Sequence, residues 1–332
     1  MGGHFFMSSS GRNLYFDNAK FVLIFLVVFG HLISPYKNND GVLFTLYTVI
    51  FLFHMPAFIL ISGYFSKGFQ KKGYIIKAIK KILVPYLIFQ FIYSIYYYYT
   101  GVETKFTINF FEPHWSLWFL LSLFFWNILL FIFARFRWIG LIVASLIGIA
   151  IGYWDNAGSY LSLSRTFVFF PYFLLGFLLE PKHLKKLRSI KYTKTIGLAI
   201  LMITVLLSVS FPKDAIPWLL GDTSYAGMGV KDFHDGFLRA GQYVATTIII
   251  IGFLFLIPEK GFKLTVIGQR TLYVYLLHGF IIKSIDTFAP DSIHDWISSN
   301  YLLLLIISLS ICLILGSYFT KKYTRPIIEL RL

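Results

Sequence analysis

The chain has 332 residues, of which 57% are hydrophobic, 20% aromatic and only 14% charged. Soluble domains carry nearer a quarter charged residues, so the composition excludes an ordinary soluble fold and points to an integral membrane protein. The net charge of +15 would suit nucleic acid, but its distribution is that of a topology signal, and the single cysteine, Cys312, excludes an intramolecular disulfide.

Ten apolar stretches long enough to matter follow one another at about 18–36, 42–66, 78–100, 116–134, 138–154, 166–180, 195–211, 238–257, 269–288 and 300–319. The expected fold is therefore all-α: a single polytopic domain over 1–332 with about ten transmembrane helices. The first apolar stretch is long enough to span, so it is expected to stay as a membrane helix and not to be cleaved as a signal. When the connections are sorted alternately, the N-terminus, the even-numbered connections and the C-terminus hold most of the Lys and Arg. Their acids are only Asp17, Glu180, Glu259 and Glu329. Positive residues favour the cytoplasmic side, so both termini are expected there: a segment at 1–17, a tail at 320–332, and an extracytoplasmic loop at 212–236. The surplus positive charge also suits an anionic partner at the cytoplasmic face.

The first span carries Lys20 and His31, eleven positions apart. At about 100° per residue that is three turns plus roughly 20°, so both side chains share a face, about 16 Å apart in height. Polar groups inside lipid are costly and default to a functional reading; the alternative is a snorkelling lysine and a histidine bonded to a neighbouring helix. In the second span, His54 precedes Pro56 and either serves the site or bonds a carbonyl freed by the proline. The second connection is rich in lysine, and Lys77, Lys80 and Lys81 fall on one helical face ahead of Pro85-Tyr86. Such a trio either cradles phosphates or simply anchors the helix end.

Tyr96 to Tyr99 read as an interfacial aromatic belt. His114, Trp115 and Trp118 open the fourth span from outside, as belt residues or as a sugar-stacking platform. Arg165 either holds an anionic group or pairs with Asp155. His278 lies about mid-membrane in the ninth span, as a base or as structural glue. No metal-ligand spacing, Gly-x-Ser-x-Gly elbow or phosphate-binding glycine loop is present. These residues fit a transporter as well as a transferase.

Taken in order, they resemble the membrane acyltransferase-3 family, in the branch similar to fucose 4-O-acetylases. The resemblance is carried by Lys20 and His31 with Asp17 three before the cation, and by Lys77, Lys80, Lys81 and Pro85-Tyr86, where lysines stand in place of the usual arginines. It is carried also by Phe53-His54-Met55-Pro56 with Ser62-Gly63-Tyr64-Phe65, by His114-Trp115-Ser116-Leu117-Trp118, by Phe170-Pro171-Tyr172 through Gly176, and by Tyr275-Leu276-Leu277-His278. It runs from about residue 12 to 325. What it implies is O-acylation, usually acetylation, of an envelope sugar at a bacterial cell membrane. The implied donor is acetyl-CoA, with no metal, and the implied acceptor is an envelope polysaccharide or a lipid-linked sugar. His31, with Asp17 and His278, would do the chemistry. Lys20, Lys77, Lys80 and Lys81 would hold the donor, and His114, Trp115, Trp118, Arg165 and His54 the acceptor. The rival reading is a transporter or flippase of an envelope glycan without acyl chemistry.

Overall fold

The computed structural model describes residues 13–230, 232 and 234–330. The first twelve residues of the expected cytoplasmic segment lie outside the described residues. So do positions 231 and 233 of the expected outer loop and 331–332 of the tail. Every element among the described residues is helical, with no strand.

In chain order the α-helices are α1 (Leu14–Ile33), α2 (Gly41–Tyr64), α3 (Tyr74–Ala78), α4 (Val84–Tyr99), α5 (Trp118–Phe133), α6 (Arg137–Ala150), α7 (Leu163–Leu178) and α8 (Pro181–Arg188). Then come α9 (Thr193–Val209), α10 (Ile216–Leu220), α11 (Asp235–Leu256), α12 (Thr265–Gly268), α13 (Thr271–Phe288), α14 (Asp291–Ser298), α15 (Tyr301–Leu315) and α16 (Tyr318–Ile328). Their starts follow capping chemistry: Asn13 accepts from Phe16 N–H at 3.3 Å, Asp40 from Leu43 N–H at 2.8 Å, and Asn300 from Leu303 N–H at 3.0 Å.

The described residues are all-helical, and their apolar helices are those of a membrane protein. Among the described residues, five helical runs are long and apolar enough to cross a bilayer: Leu14–Ile33, Gly41–Tyr64, Trp115–Tyr153, Tyr160–Leu178 and Asp235–Leu256. Two bent pairs, Pro181–Arg188 with Thr193–Val209 at 88° and Asp291–Ser298 with Tyr301–Leu315 at 101°, raise the number to as many as seven. Each of the ten expected stretches lies on helix, and the smaller number has identifiable causes. α5 and α6 form one helical run of 39 residues, broken where Arg137 takes a φ of 49° in the left-handed region. α4 has only 16 residues, and α13 is made less apolar by Lys283 and Asp286.

The described chain divides into two compact units. One is made of the described residues within 1–55, 192–210 and 249–332, the other of those within 56–191 and 211–248, with the cuts inside α2 and α11. In the first unit α1 is the central helix and packs on α12, α13 and α15. Its entry is locked by Asn18, which is fully buried. Asn18 Nδ2 donates to the carbonyls of Pro258 at 2.8 Å and Lys260 at 2.9 Å, and its Oδ1 accepts from the Thr265 hydroxyl at 2.6 Å. At the other end of the helix, Tyr301 donates its hydroxyl to Asp40 at 2.7 Å. The Leu43 N–H and this hydroxyl hold the Asp40 carboxyl below the usual carboxylate range.

In the second unit α7 packs on both α5 and α6. It also meets the C-terminal half of α2 through two glycines. A Cβ at Gly63 would lie 1.9 Å from the Phe173 carbonyl oxygen, and one at Gly176 the same distance from that of Leu60. This is the small-residue crossing by which membrane helices bring their backbones together. Lys67 caps the C-terminal end of α7, donating to the carbonyls of Phe177 at 2.7 Å and Leu179.

Candidate active site

The polar groups of the first unit gather along α1. Asp17 and Lys20 are three residues apart on a helix, and Lys20 Nζ lies 2.7 Å from Asp17 Oδ1. The other carboxylate oxygen is buried with no hydrogen-bond partner among the described residues. Three turns on, the His31 ring stands 5.5 Å from that of His278, centroid to centroid and tilted by 40°. His278 is fully buried. Its Nδ1 faces the carbonyl oxygens of Tyr275 at 2.7 Å and Val274 at 3.0 Å. A carbonyl only accepts, so that nitrogen carries the proton and Nε2 presents a lone pair.

Phe51 completes the cluster. Its ring meets His31 edge-on at 6.1 Å and His54 at 4.8 Å, and it stacks on Tyr47 at 3.9 Å. Tyr47 in turn lies under the Lys37 ammonium, 5.0 Å from the ring centre. A column thus runs from the two histidines to a cation at the end of α1. Gly30 makes room for it, since a Cβ there would come within 3.0 Å of the Phe51 ring. Lys37 donates to Ser34 O at 2.9 Å, and burial pushes its ammonium below the usual lysine range. His54 Nδ1 donates to Ile50 O at 2.7 Å, one turn back on its own helix. Pro56, two residues on, has no N–H to offer the preceding turn.

The second unit holds the remaining candidates. Lys77, Lys80 and Lys81 are all exposed. Lys80 and Lys81 sit in a π-helical turn over Ile79–Leu83, closed by the Val84 N–H bonding to Ile79 O. Pro85 follows it and has no N–H to offer the preceding turn.

His114 is fixed by buried Gln90, whose side chain accepts from the His114 backbone N–H at 2.9 Å. The same amide donates to the carbonyls of Asn109 at 2.7 Å and Glu112 at 2.9 Å. The His114 ring lies between the Ser94 hydroxyl, 2.9 Å from Nε2, and Glu103, 3.6 Å from Nδ1. Burial lowers the pKa of His114, and the Glu103 carboxylate partly opposes that shift. Trp115 follows with a φ of 40°, a strained backbone for a bulky side chain.

Arg165 takes Asp222 as its carboxylate, at 2.5 Å, in place of the Asp155 considered from sequence. It also donates to Leu220 O at 3.2 Å, and its guanidinium covers the Trp118 ring at 5.0 Å.

Asn18, Phe51, Tyr47 and Gln90 are among the residues here that were not sequence candidates. Asn18 and Gln90 had a readable signal, as amides inside apolar helices that must find partners. Phe51 and Tyr47 had none, because aromatics on apolar helices are ordinary.

The family model described as an acyltransferase domain, that of acyltransferase-3, matches residues 13–319. The chain belongs to the acyltransferase-3 family. This acyltransferase is similar to nodulation protein NolL of Sinorhizobium fredii, with 24% identity over 300 residues covering 84% of this chain and 80% of the relative. It is 44% identical to nodulation protein NolL of Mesorhizobium japonicum over 63 residues, 18% of this chain and 17% of that one. No solved structure gives a significant match. The family makes the protein a membrane acyltransferase.

Proposed function

We propose that this acyltransferase moves an acetyl group from cytoplasmic acetyl-CoA to a hydroxyl of a cell-envelope glycan or its lipid-linked precursor, in a bacterial cell membrane crossed ten times with both termini inside. The observation that carries this reading is the polar line on α1: an Asp17–Lys20 ion pair at one level and His31 three turns further on, half-buried beside the fully buried His278. A neutral imidazole held away from water is suited to take a proton from an alcohol.

His31 accepts the hydroxyl proton as the acceptor oxygen attacks the thioester carbonyl. The carbon–sulfur bond breaks, and the departing CoA thiolate takes the proton from His31, so that ester and CoA thiol leave and the histidine is restored. A variant route carries the acetyl group briefly on His31 itself. Lys77, Lys80 and Lys81 offer point charges for the donor's phosphates, and π-helical turns such as theirs are frequent at functional sites. Lys20 adds a cation on the helix that bears His31, with Asp17 orienting it. The acceptor sugar is assigned to His114, Trp115, Trp118, Arg165 and His54. Of these, Trp118 has one face already occupied by the Arg165 guanidinium.

The test is CoA release from acetyl-CoA by the protein purified into nanodiscs. Release by the native protein, abolished in His31→Ala and weakened in apparent donor affinity in Lys20→Ala, supports the reading. A folded protein that neither binds nor cleaves acetyl-CoA overturns the donor assignment and leaves glycan transport without chemistry.

A further inference from the structure

We infer that α16 (Tyr318–Ile328) is an interfacial helix that lies in the surface of the bilayer and binds anionic lipid. Phe319, Tyr323 and Ile327 are set into the upper acyl chains, and Lys321 and Lys322 meet the lipid phosphates. The inference goes beyond acyl transfer and does not use it. Most of α16 lies past residue 319, where the match to the family ends.

The sequence of the helix separates three faces. Phe319, Tyr323, Pro326 and Ile327 follow one another at i, i+4, i+7 and i+8, the spacing of one helix face. Thr320, Thr324 and Ile328 repeat at i, i+4 and i+8 on a second, and the cations Lys321, Lys322 and Arg325 fall on the side that remains. In an ordinary soluble protein the aromatic face would turn inward. Here it turns outward: Phe319 is 71% exposed and Tyr323 72%, with Ile327 exposed beside them, whereas Ile328 is buried. The threonine face is tied to the protein, for Thr320 Oγ1 donates to Ile314 O at 2.6 Å.

Two tethers fix the level of α16. Arg270 donates to Gly316 O at 3.0 Å ahead of the helix, and Tyr273 donates its hydroxyl to Glu329 at 2.6 Å behind it. Arg270 and Tyr273 are separated by about 4.5 Å of rise, whereas the eleven residues of α16 span about 16 Å. A helix held at both ends to the start of α13 lies across that start and does not run along α13. The start of α13 stands level with the entry of α1, because Gly268 of α12, just before it, rests on the Asp17 carbonyl. α1 is long and apolar enough to cross the bilayer, so its entry is at a membrane surface, and α16 with it.

A helix at that level, with aromatic rings outward and cations beside them, matches a lipid surface. Rings and an aliphatic side chain take the acyl boundary, and ammonium groups take lipid phosphates as point charges. Lys322 Nζ stands 5.9 Å from the centre of the Tyr323 ring, at the seam of the two faces. Arg325 is paired with Glu329 at 3.3 Å, so the two lysines carry the excess positive charge of the helix.

The experiment places an environment-sensitive fluorophore on Tyr323→Cys in the full chain, in nanodiscs of phosphatidylcholine with phosphatidylglycerol. Cys312 is buried, so the new cysteine is the one that reacts. Lipids brominated high on their acyl chains are expected to quench the label, and aqueous iodide is not. At equal mole fraction brominated phosphatidylglycerol should quench more strongly than brominated phosphatidylcholine, and K321Q with K322Q should lose that preference. A label quenched by iodide alone lies in water and overturns the inference. A label shielded from iodide and from both lipids is covered by protein, a second copy of this chain among the possibilities, and overturns it as well. Equal quenching by the two lipids overturns the anionic preference. Nanodiscs expose both membrane surfaces and the readout uses no acetyl-CoA, so a failure here is distinct from a failure of the proposed function. Should the double variant fail to fold, the lipid preference of the Tyr323 label and of a second label at Phe319→Cys still decides it.

Discussion

Gly268 lies directly on the backbone carbonyl of Asp17: a methyl group at 268 would stand 1.8 Å from that oxygen. No side-chain rotation relieves such an overlap, because both partners are backbone. Gly268→Ala is therefore expected to push α12 off the entry of α1 and to cost about 1–3 kcal/mol or more. Thermal unfolding in detergent measures it. Because the displaced atoms belong to Asp17, the same variant should also weaken the Asp17–Lys20 pair, read as a loss of donor affinity larger than the Tm change explains.

Asn18 makes three side-chain hydrogen bonds to the 258–265 segment. Asn18→Leu would remove its bonds to the carbonyls of Pro258 and Lys260 and to the buried Thr265 hydroxyl, a cost of about 1–3 kcal/mol where the group left behind is buried. Lowered thermal stability is expected, together with faster amide exchange confined to 258–268. Uniformly faster exchange over the whole chain would contradict the local account.

Acid should loosen the 101–114 loop. Burial holds His114 below its ordinary value of 6.5, so the unfolded chain binds this proton more readily than the folded one. The stabilising contribution is whole above about pH 6.5 and is lost as pH falls through the lower folded value. A plot of Tm against pH should fall in that window for the native chain and fall less for His114→Gln, since an amide in the same place does not titrate. Parallel curves would remove His114 from the explanation.

Arg165 ties the 216–222 segment to α7 through Asp222 and Leu220 O. Arg165→Ala leaves a carboxylate and a carbonyl without their cation, and limited proteolysis between 211 and 230 should accelerate. Arg165→Lys keeps the charge but not the forked geometry, so it should fall between the two. An unchanged cleavage rate in R165A would show that the Ser164 hydroxyl, bonded to Gly221 O at 2.9 Å, suffices to hold the segment.

Much of this protein was legible along the chain. Apolar composition and run length imply membrane helices, and the 3.6-residue repeat puts Asp17, Lys20 and His31 along one line of α1, where the ion pair closes at 2.7 Å. Such relationships are local: helix geometry alone sets them, so spacing suffices to read them. The number of crossings was less legible: ten stretches are expected, while five to seven of the described helical runs are long and apolar enough to cross, because α4 is short and α13 carries Lys283 and Asp286.

What only the tertiary structure decided are the partners chosen among distant equals. Asp155 and Asp222 are the same residue type within reach of argument, and packing of the 216–222 segment brings Asp222 to Arg165. His278 could have faced any neighbour of α13, and the close packing of α13 on α1 sets it beside His31 with its proton already directed to its own backbone. Sequence determines which side chains are present and which face of a helix bears them. Which faces meet is set by how the helices pack, through contacts such as Gly268 on Asp17 that depend on shape at both ends of the chain.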